Sequence, residues 1–222
     1  MMQRLIFDAL KQGSLMLAQD PSLLEDMFGP ESQYGYSTAE IEAIKTIFKT
    51  TAPYPVHGYA GRDHTFPLWA ILLAGEQESE RALGDDTGFV DDPDDPEFGT
   101  DLTGSIWDHN YAVLVYGLSP DVCSYCYEVA RSILMLARRD WVNQYGYHNI
   151  RLSGADLAPD PRYFPEHMFI RQLTVSGSGE HSFPVEGSKF GRAWKVAGMH
   201  VDKSGSPSDV GGVKTLIYPI EP

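Results

Sequence analysis

Tyr111-Ala112-Val113-Leu114-Val115-Tyr116 leads through Gly117-Leu118 into Ser119-Pro120-Asp121 and a helical pattern that lasts to Trp141. The six leading residues are apolar without alternation, which predicts a strand buried on both faces. Ser119 suits a helix cap, and Pro120 stands at the first helical turn, where a missing N–H costs nothing. At 100° per residue, Val122, Cys123, Cys126, Val129, Ala130, Ile133, Leu134, Leu136, Ala137 and Trp141 share one face, with Glu128, Arg131, Met135, Arg138 and Arg139 opposite. The spacing predicts a helix of about six turns lying on a sheet. Arg138 and Arg139 suit the negative end of its dipole, and Gly146 its exit.

Upstream, residues 3–12 read as a short helix on Leu5, Ile6, Ala9 and Leu10. Asp20-Pro21 opens a second, with Leu23, Leu24, Met27 and Phe28, and Gly29-Pro30 stops it. A third, over 38–49, is capped by Ser37 or Thr38, with Glu40 in its first turn and Ile41, Ile44, Ile47 and Phe48 as its stripe. The continuous apolar run Phe66–Ala74, with Pro67 near its start, predicts a central strand.

Between the two strands, residues 75–105 are polar, acidic and rich in Gly and Pro, and read as a long arm without an element of its own. Downstream, Met168–Val175 predicts a strand. Ser176-Gly177-Ser178-Gly179 predicts a turn, with Glu180–Val185 as its hairpin partner. Ala193–Val201 and Val213–Ile220 are two further strand candidates. The fold class is α+β: N-terminal helices, then a mixed or antiparallel sheet with one long amphipathic helix packed on it. The organisation expected is an N-terminal helical segment, 1–55, and an α+β domain, 56–222, carrying a long acidic arm at about 75–110.

Composition narrows the function. The chain has 222 residues, 42% of them hydrophobic, enough for one globular core. Disorder and a membrane helix are excluded by the apolar content and by the absence of a run near 20 apolar residues. Met1-Met2-Gln3-Arg4-Leu5-Ile6-Phe7-Asp8 meets its acid too early for a secretory signal. Seventeen basic against 31 acidic residues give a net charge of −14, which argues against gripping nucleic acid. Much of that charge is local: Asp85, Asp86, Asp91, Asp92, Asp94, Asp95, Glu97 and Asp101 lie between 85 and 101 without a Lys or Arg among them.

Chemistry-bearing groups are few. Cys123-Ser124-Tyr125-Cys126 has thioredoxin-like spacing at a helix start, where a thiol pKa falls. Both cysteines nevertheless lie on the apolar face, where Cys acts as a small hydrophobe, and no further Cys exists to complete a zinc site. Asp63-His64, Asp108-His109, Glu166-His167 and Glu180-His181 pair an acid with a histidine, as a metal site or catalytic dyad does. Adjacent residues on a strand point to opposite faces, so such a dipeptide reads as a solvated loop or element end. The 85–101 acids lack the spacing of a calcium loop, and Pro93 and Pro96 stiffen them; a solvated arm, or one docked on a basic neighbour, is the reading. Nucleotide-binding and hydrolase-elbow motifs are absent. No catalytic residue, metal ligand or cofactor is assigned. The enzyme alternative is thiol redox through Cys123 and Cys126 or metal-dependent hydrolysis through the acid–His pairs. A small adaptor domain recognised through its acidic arm is a third reading.

One resemblance adds to this. The segment Phe66-Pro67-Leu68-Trp69-Ala70-Ile71-Leu72-Leu73-Ala74-Gly75-Glu76-Gln77-Glu78-Ser79-Glu80-Arg81 is followed by Leu83-Gly84-Asp85 and a polar arm. Strand 111–116 and helix 119–141 come next, then Leu152-Ser153-Gly154-Ala155-Asp156-Leu157-Ala158-Pro159 and Phe164-Pro165-Glu166-His167-Met168-Phe169-Ile170-Arg171. As an order of elements over residues 40–185, this resembles the neck and tail-terminator proteins of tailed bacteriophages, particularly those with contractile tails. The resemblance implies a structural virion protein without catalytic residues, located in the neck or tail and in the host cytoplasm during assembly. Such proteins form rings, here a hexamer or dodecamer, that join the head portal complex to the tail or terminate the tail tube. The partners implied are further copies of the chain and neighbouring neck, portal-adaptor, tail-tube or sheath proteins. DNA passes through the lumen without specific binding, and no membrane is involved. The extra N-terminal helices and the acidic arm depart from a minimal terminator. In the arm, Phe89, Phe98, Ile106 and Trp107 are expected as apolar anchors among the solvating Asp91, Asp92, Asp94 and Asp95.

Overall fold

The computed structural model describes residues 1–32, 34–61, 63–92, 95–157 and 168–184, with 80–104 and 182–184 described as backbone only. The elements run α1 (Met2–Gln19), α2 (Leu23–Phe28), α3 (Thr38–Thr51), β1 (Tyr54–His57), β2 (Leu68–Asp92), β3 (Asp95–Gly117), α4 (Pro120–Tyr145), β4 (Tyr147–Asp156) and β5 (Phe169–Pro184). The strands form a mixed sheet in the order β1-β2-β3-β5-β4, so the fold is α+β. β1 pairs parallel with β2 from Tyr54 opposite Leu68 to His57 opposite Ile71. β4 and β5 pair antiparallel. Only two residues separate β2 from β3, which permits a hairpin reversal and no crossover.

Strand alternation splits the sheet's side chains between two cores. Trp69 and Ile71 of β2, Tyr111, Val113 and Val115 of β3, and Leu173 and Val175 of β5 meet Cys126, Val129, Ala130, Ile133 and Leu134 of α4 and Met2, Ile6 and Leu10 of α1. The intervening residues Leu68, Ala70, Ala112, Leu114, Tyr116, Met168 and Ile170 form a second cluster with Phe66, Val56 and Leu72. Tyr111–Tyr116 is therefore buried on both faces, the arrangement its unbroken apolar run requires. Trp69 Nε1–H donates to the Cys126 carbonyl at 3.2 Å and ties the sheet to α4.

The cap signals of α3 and α4 act as expected, whereas α2 starts at Leu23, behind Ser22 without a side-chain cap bond, and not at Pro21. Ser37 and Glu40 close a capping box on α3. The Val122 amide donates to Ser119 Oγ at the start of α4, and Gly146 ends α4 at φ 68° in the left-handed region that glycine tolerates. α1 runs seven residues past the expected end. Gly13 lies so close to Ile133 of α4 that an added Cβ would sit 2.5 Å from Ile133 Cδ1, and the Ser14 hydroxyl donates to the Pro53 carbonyl. These two residues, breakers in isolation, are the contact points of a helix packed on its neighbours.

Three expectations change. Residues 75–105 are not loop: their described backbone is strand, in β2 and β3. A two-stranded ribbon is held by backbone hydrogen bonds, so acids and glycines of low strand propensity conceal it. Ser176–Gly179 is not a turn, because it lies inside β5 and pairs with β4, Tyr147 opposite Gly179 and Arg151 opposite Ser176. The glycine there serves close packing: a Cβ on Gly179 would stand 2.5 Å from the Tyr147 ring. Glu128 and Arg131 are not on a solvent face. Arg131 Nη2 lies 2.6 Å from Glu128 Oε2 and donates to the Tyr34 hydroxyl at 2.8 Å, and the Tyr34 ring meets Phe28 edge to face.

One compact unit holds Met1–Glu80 and Ile106–Glu180, so α1, α2 and α3 share the core of the sheet; the other holds Arg81–Ser105 and His181–Pro222. The strand candidates at 193–201 and 213–220 lie outside the described residues.

Candidate functional site

The hairpin of β2 and β3 is the feature that fold economy does not explain. Strands of 25 and 23 residues greatly exceed the usual 5–6, and the acidic run lies along them. Phe89, Asp91 and Asp92 fall on β2 and Asp95 and Phe98 on β3, as backbone; Asp94 lies outside the described residues. Ile106 and Trp107 are half-buried where β3 enters the first unit.

At the base of the hairpin, the tertiary structure assembles a polar cluster. Glu76 of β2 accepts from the Tyr111 hydroxyl at 2.8 Å, and its same oxygen lies 2.9 Å from Nδ1 of the buried His109. A carboxylate only accepts, so Nδ1 carries the shared proton. The His109 ring meets the Tyr147 ring edge to face, with centroids 5.8 Å apart. Burial pushes the Glu76 carboxyl up, but the hydrogen bonds from Tyr111 and His109 outweigh it and hold the group below the usual glutamate range. Burial and the Glu76 carboxylate together raise the Tyr111 hydroxyl well above an ordinary tyrosine. Nothing local marks this cluster in the sequence, since Glu76 and His109 are 33 positions apart.

Of the acid–histidine pairs, Asp108-His109 separates as strand geometry requires. His109 turns inward to Glu76, while the exposed Asp108 accepts from Ser178 Oγ at 2.6 Å. His64 lies in an exposed loop, its Nδ1 accepting from the Gly61 amide at 2.8 Å. Glu180 and His181 are exposed on β5, and Glu166-His167 lies outside the described residues. Among the described residues no three His, Cys, Asp or Glu side chains converge as metal ligands.

Both cysteines are free and buried on the apolar side of α4. Burial raises the Cys123 thiol to about 11 and pushes Cys126 higher still, the opposite of an activated nucleophile. Cys123 Sγ contacts the Val115 carbonyl at 3.4 Å. A groove of about 510 Å³ between α1 and α4 is lined by Leu5, Met16, Leu136 and Tyr145, with Asp8 and Asp140 as its charged members. Among the described residues no helix is long and apolar enough to cross a membrane. No known family model matches the chain, and no curated protein is similar to it.

Proposed function

We propose that this chain is a structural virion protein of a tailed-bacteriophage neck, forming a ring that joins the head portal complex to the tail or terminates the tail tube. One observation carries the reading: β2 and β3, of 25 and 23 residues, are far longer than an ordinary strand, and the acidic run lies along them. Such a hairpin suits contact with a neighbouring subunit, because it adds interface without enlarging the core. The net charge of −14 supports a lumen that repels phosphates, so that the duplex slides and does not adhere. The neighbours are further copies of the chain and portal-adaptor, tube or sheath proteins; no cofactor takes part. The buried, high-pKa thiols support a packing role for Cys123 and Cys126. Protein mass spectrometry of purified particles, joined to imaging of the neck, tests the reading. The protein is expected in the particle at a fixed copy number in a ring at the head–tail junction; its absence from particles would refute the proposal.

A further inference from the structure

The two ends of the sheet differ, and each leaves backbone at a border. β1 pairs with β2 only as far as Ile71, so residues 72–77 continue as strand at the sheet's edge with no further pairing strand among the described residues. Leu73 there is 53% exposed, and Ala74, Gly75 and Gln77 are exposed beside it. The segment has neither Pro nor Lys, the residues that proteins place on edges to block pairing. β4 is the other border. Its start is irregular, with a register shift between His148 and Arg151 and Asn149 at φ 53°, but from Arg151 to Asp156 it pairs regularly with β5 and is mostly exposed.

We infer that β4 of one copy adds to the 72–77 edge of β2 in a second copy, head to tail. Backbone N–H and C=O groups at a strand edge are best satisfied by another strand, and two different edges on one body give the heterologous contact from which a closed ring is built. The charges agree. Over 72–77 β2 carries one acid, Glu76, bonded to Tyr111 and His109, and no basic residue. Over 151–156 β4 presents the exposed Arg151, and its single acid, Asp156, is held by Arg171 at 2.8 Å. A pairing of six residues spans about 20 Å, the length of an ordinary strand pair.

This rests on the ring reading, and the test separates the two. Cysteine is placed at Leu73 or Gln77 in one set of full-length variants and at Ser153 or Ala155 in another; the native thiols are buried. Two positions per edge allow for the register, which edge geometry leaves free to slide. Each variant is first checked against the parent by circular dichroism. Under mild oxidation at high protein concentration, each variant alone is expected to stay monomeric on a non-reducing gel. A mixture of the two sets is expected to give a one-to-one dimer band. A variant carrying both cysteines is expected to give a ladder that ends in a closed species. No mixed dimer, or dimers formed equally by one variant with itself, would overturn the edge pairing. A protein found in particles but failing to cross-link sinks this inference alone; one that ladders but is absent from particles sinks the neck reading alone.

Discussion

Glu76 shows how one carboxylate ties the two strands of a hairpin together. It lies on β2 and takes hydrogen bonds from Tyr111 and His109 of β3. Because Glu76 is held below its unfolded-state pKa, its contribution to stability is complete above that unfolded value and is lost as pH falls through the folded one. Urea unfolding between pH 7 and pH 3 should show this acid-side loss, and Glu76→Gln should flatten it while lowering stability near neutrality. Tyr111→Phe should cost about 1.5 kcal/mol at pH 7, the worth of a hydrogen bond to a charged group. The cysteines give a second check at this scale. Native protein should label at Cys123 and Cys126 slowly with a thiol reagent, and in urea labelling should track unfolding. Fast labelling of the folded chain would return the redox reading. The separation of Asp108 from His109 follows from alternation and was legible in the sequence, whereas the union of Glu76 with His109 was not, since it depends on which residues of β2 and β3 face each other.

Among the elements, α4 is the most fully written in the sequence. Its cap and exit glycine are local signals that appear where the residues place them; of its stripe Leu136 is exposed, and because the helix runs to Tyr145, Arg138 and Arg139 fall short of its last turn. The same wheel misplaces Arg131, because a periodicity sees one apolar face and not a loop that later covers the polar one. Arg131→Glu should therefore destabilise the fold by about 2 kcal/mol, setting a second carboxylate beside Glu128 and losing the Tyr34 hydroxyl; thermal melts of the variant and of Arg138→Glu, on an exposed position, compare the two sites. Gly117 marks the change from β3 to α4. A Cβ there would lie 2.7 Å from the Cys123 backbone nitrogen, so Gly117→Ala should cost about 2 kcal/mol, measured by denaturant unfolding, although alanine favours neither a bend nor a strand. The strands are less legible than the helices. β4 alternates weakly because it is an edge, and the Gly residues of β5 look like a turn until Tyr147 is set against Gly179.

For the whole molecule, the division into Met1–Glu80 with Ile106–Glu180 and Arg81–Ser105 with His181–Pro222 leads to a deletion test. Removing residues 86–104 should leave the α1–α4 and sheet core folded, with its circular dichroism and melting temperature little changed, while abolishing docking to neck partners in a pull-down. A melted variant would show that the ribbon is part of the core. Taken alone, the sequence determined the helices, the doubly buried strand 111–116, the α+β class and the acidic character of the hairpin, because capping, periodicity and charge act between residues near one another along the chain. Only the tertiary structure decided that 75–105 is strand, that Gly13 and Gly179 are packing residues, that Glu76 meets His109 and Tyr111, and where the sheet ends. Those outcomes rest on backbone pairing and close approach between distant segments, and neither depends on side-chain pattern within a window.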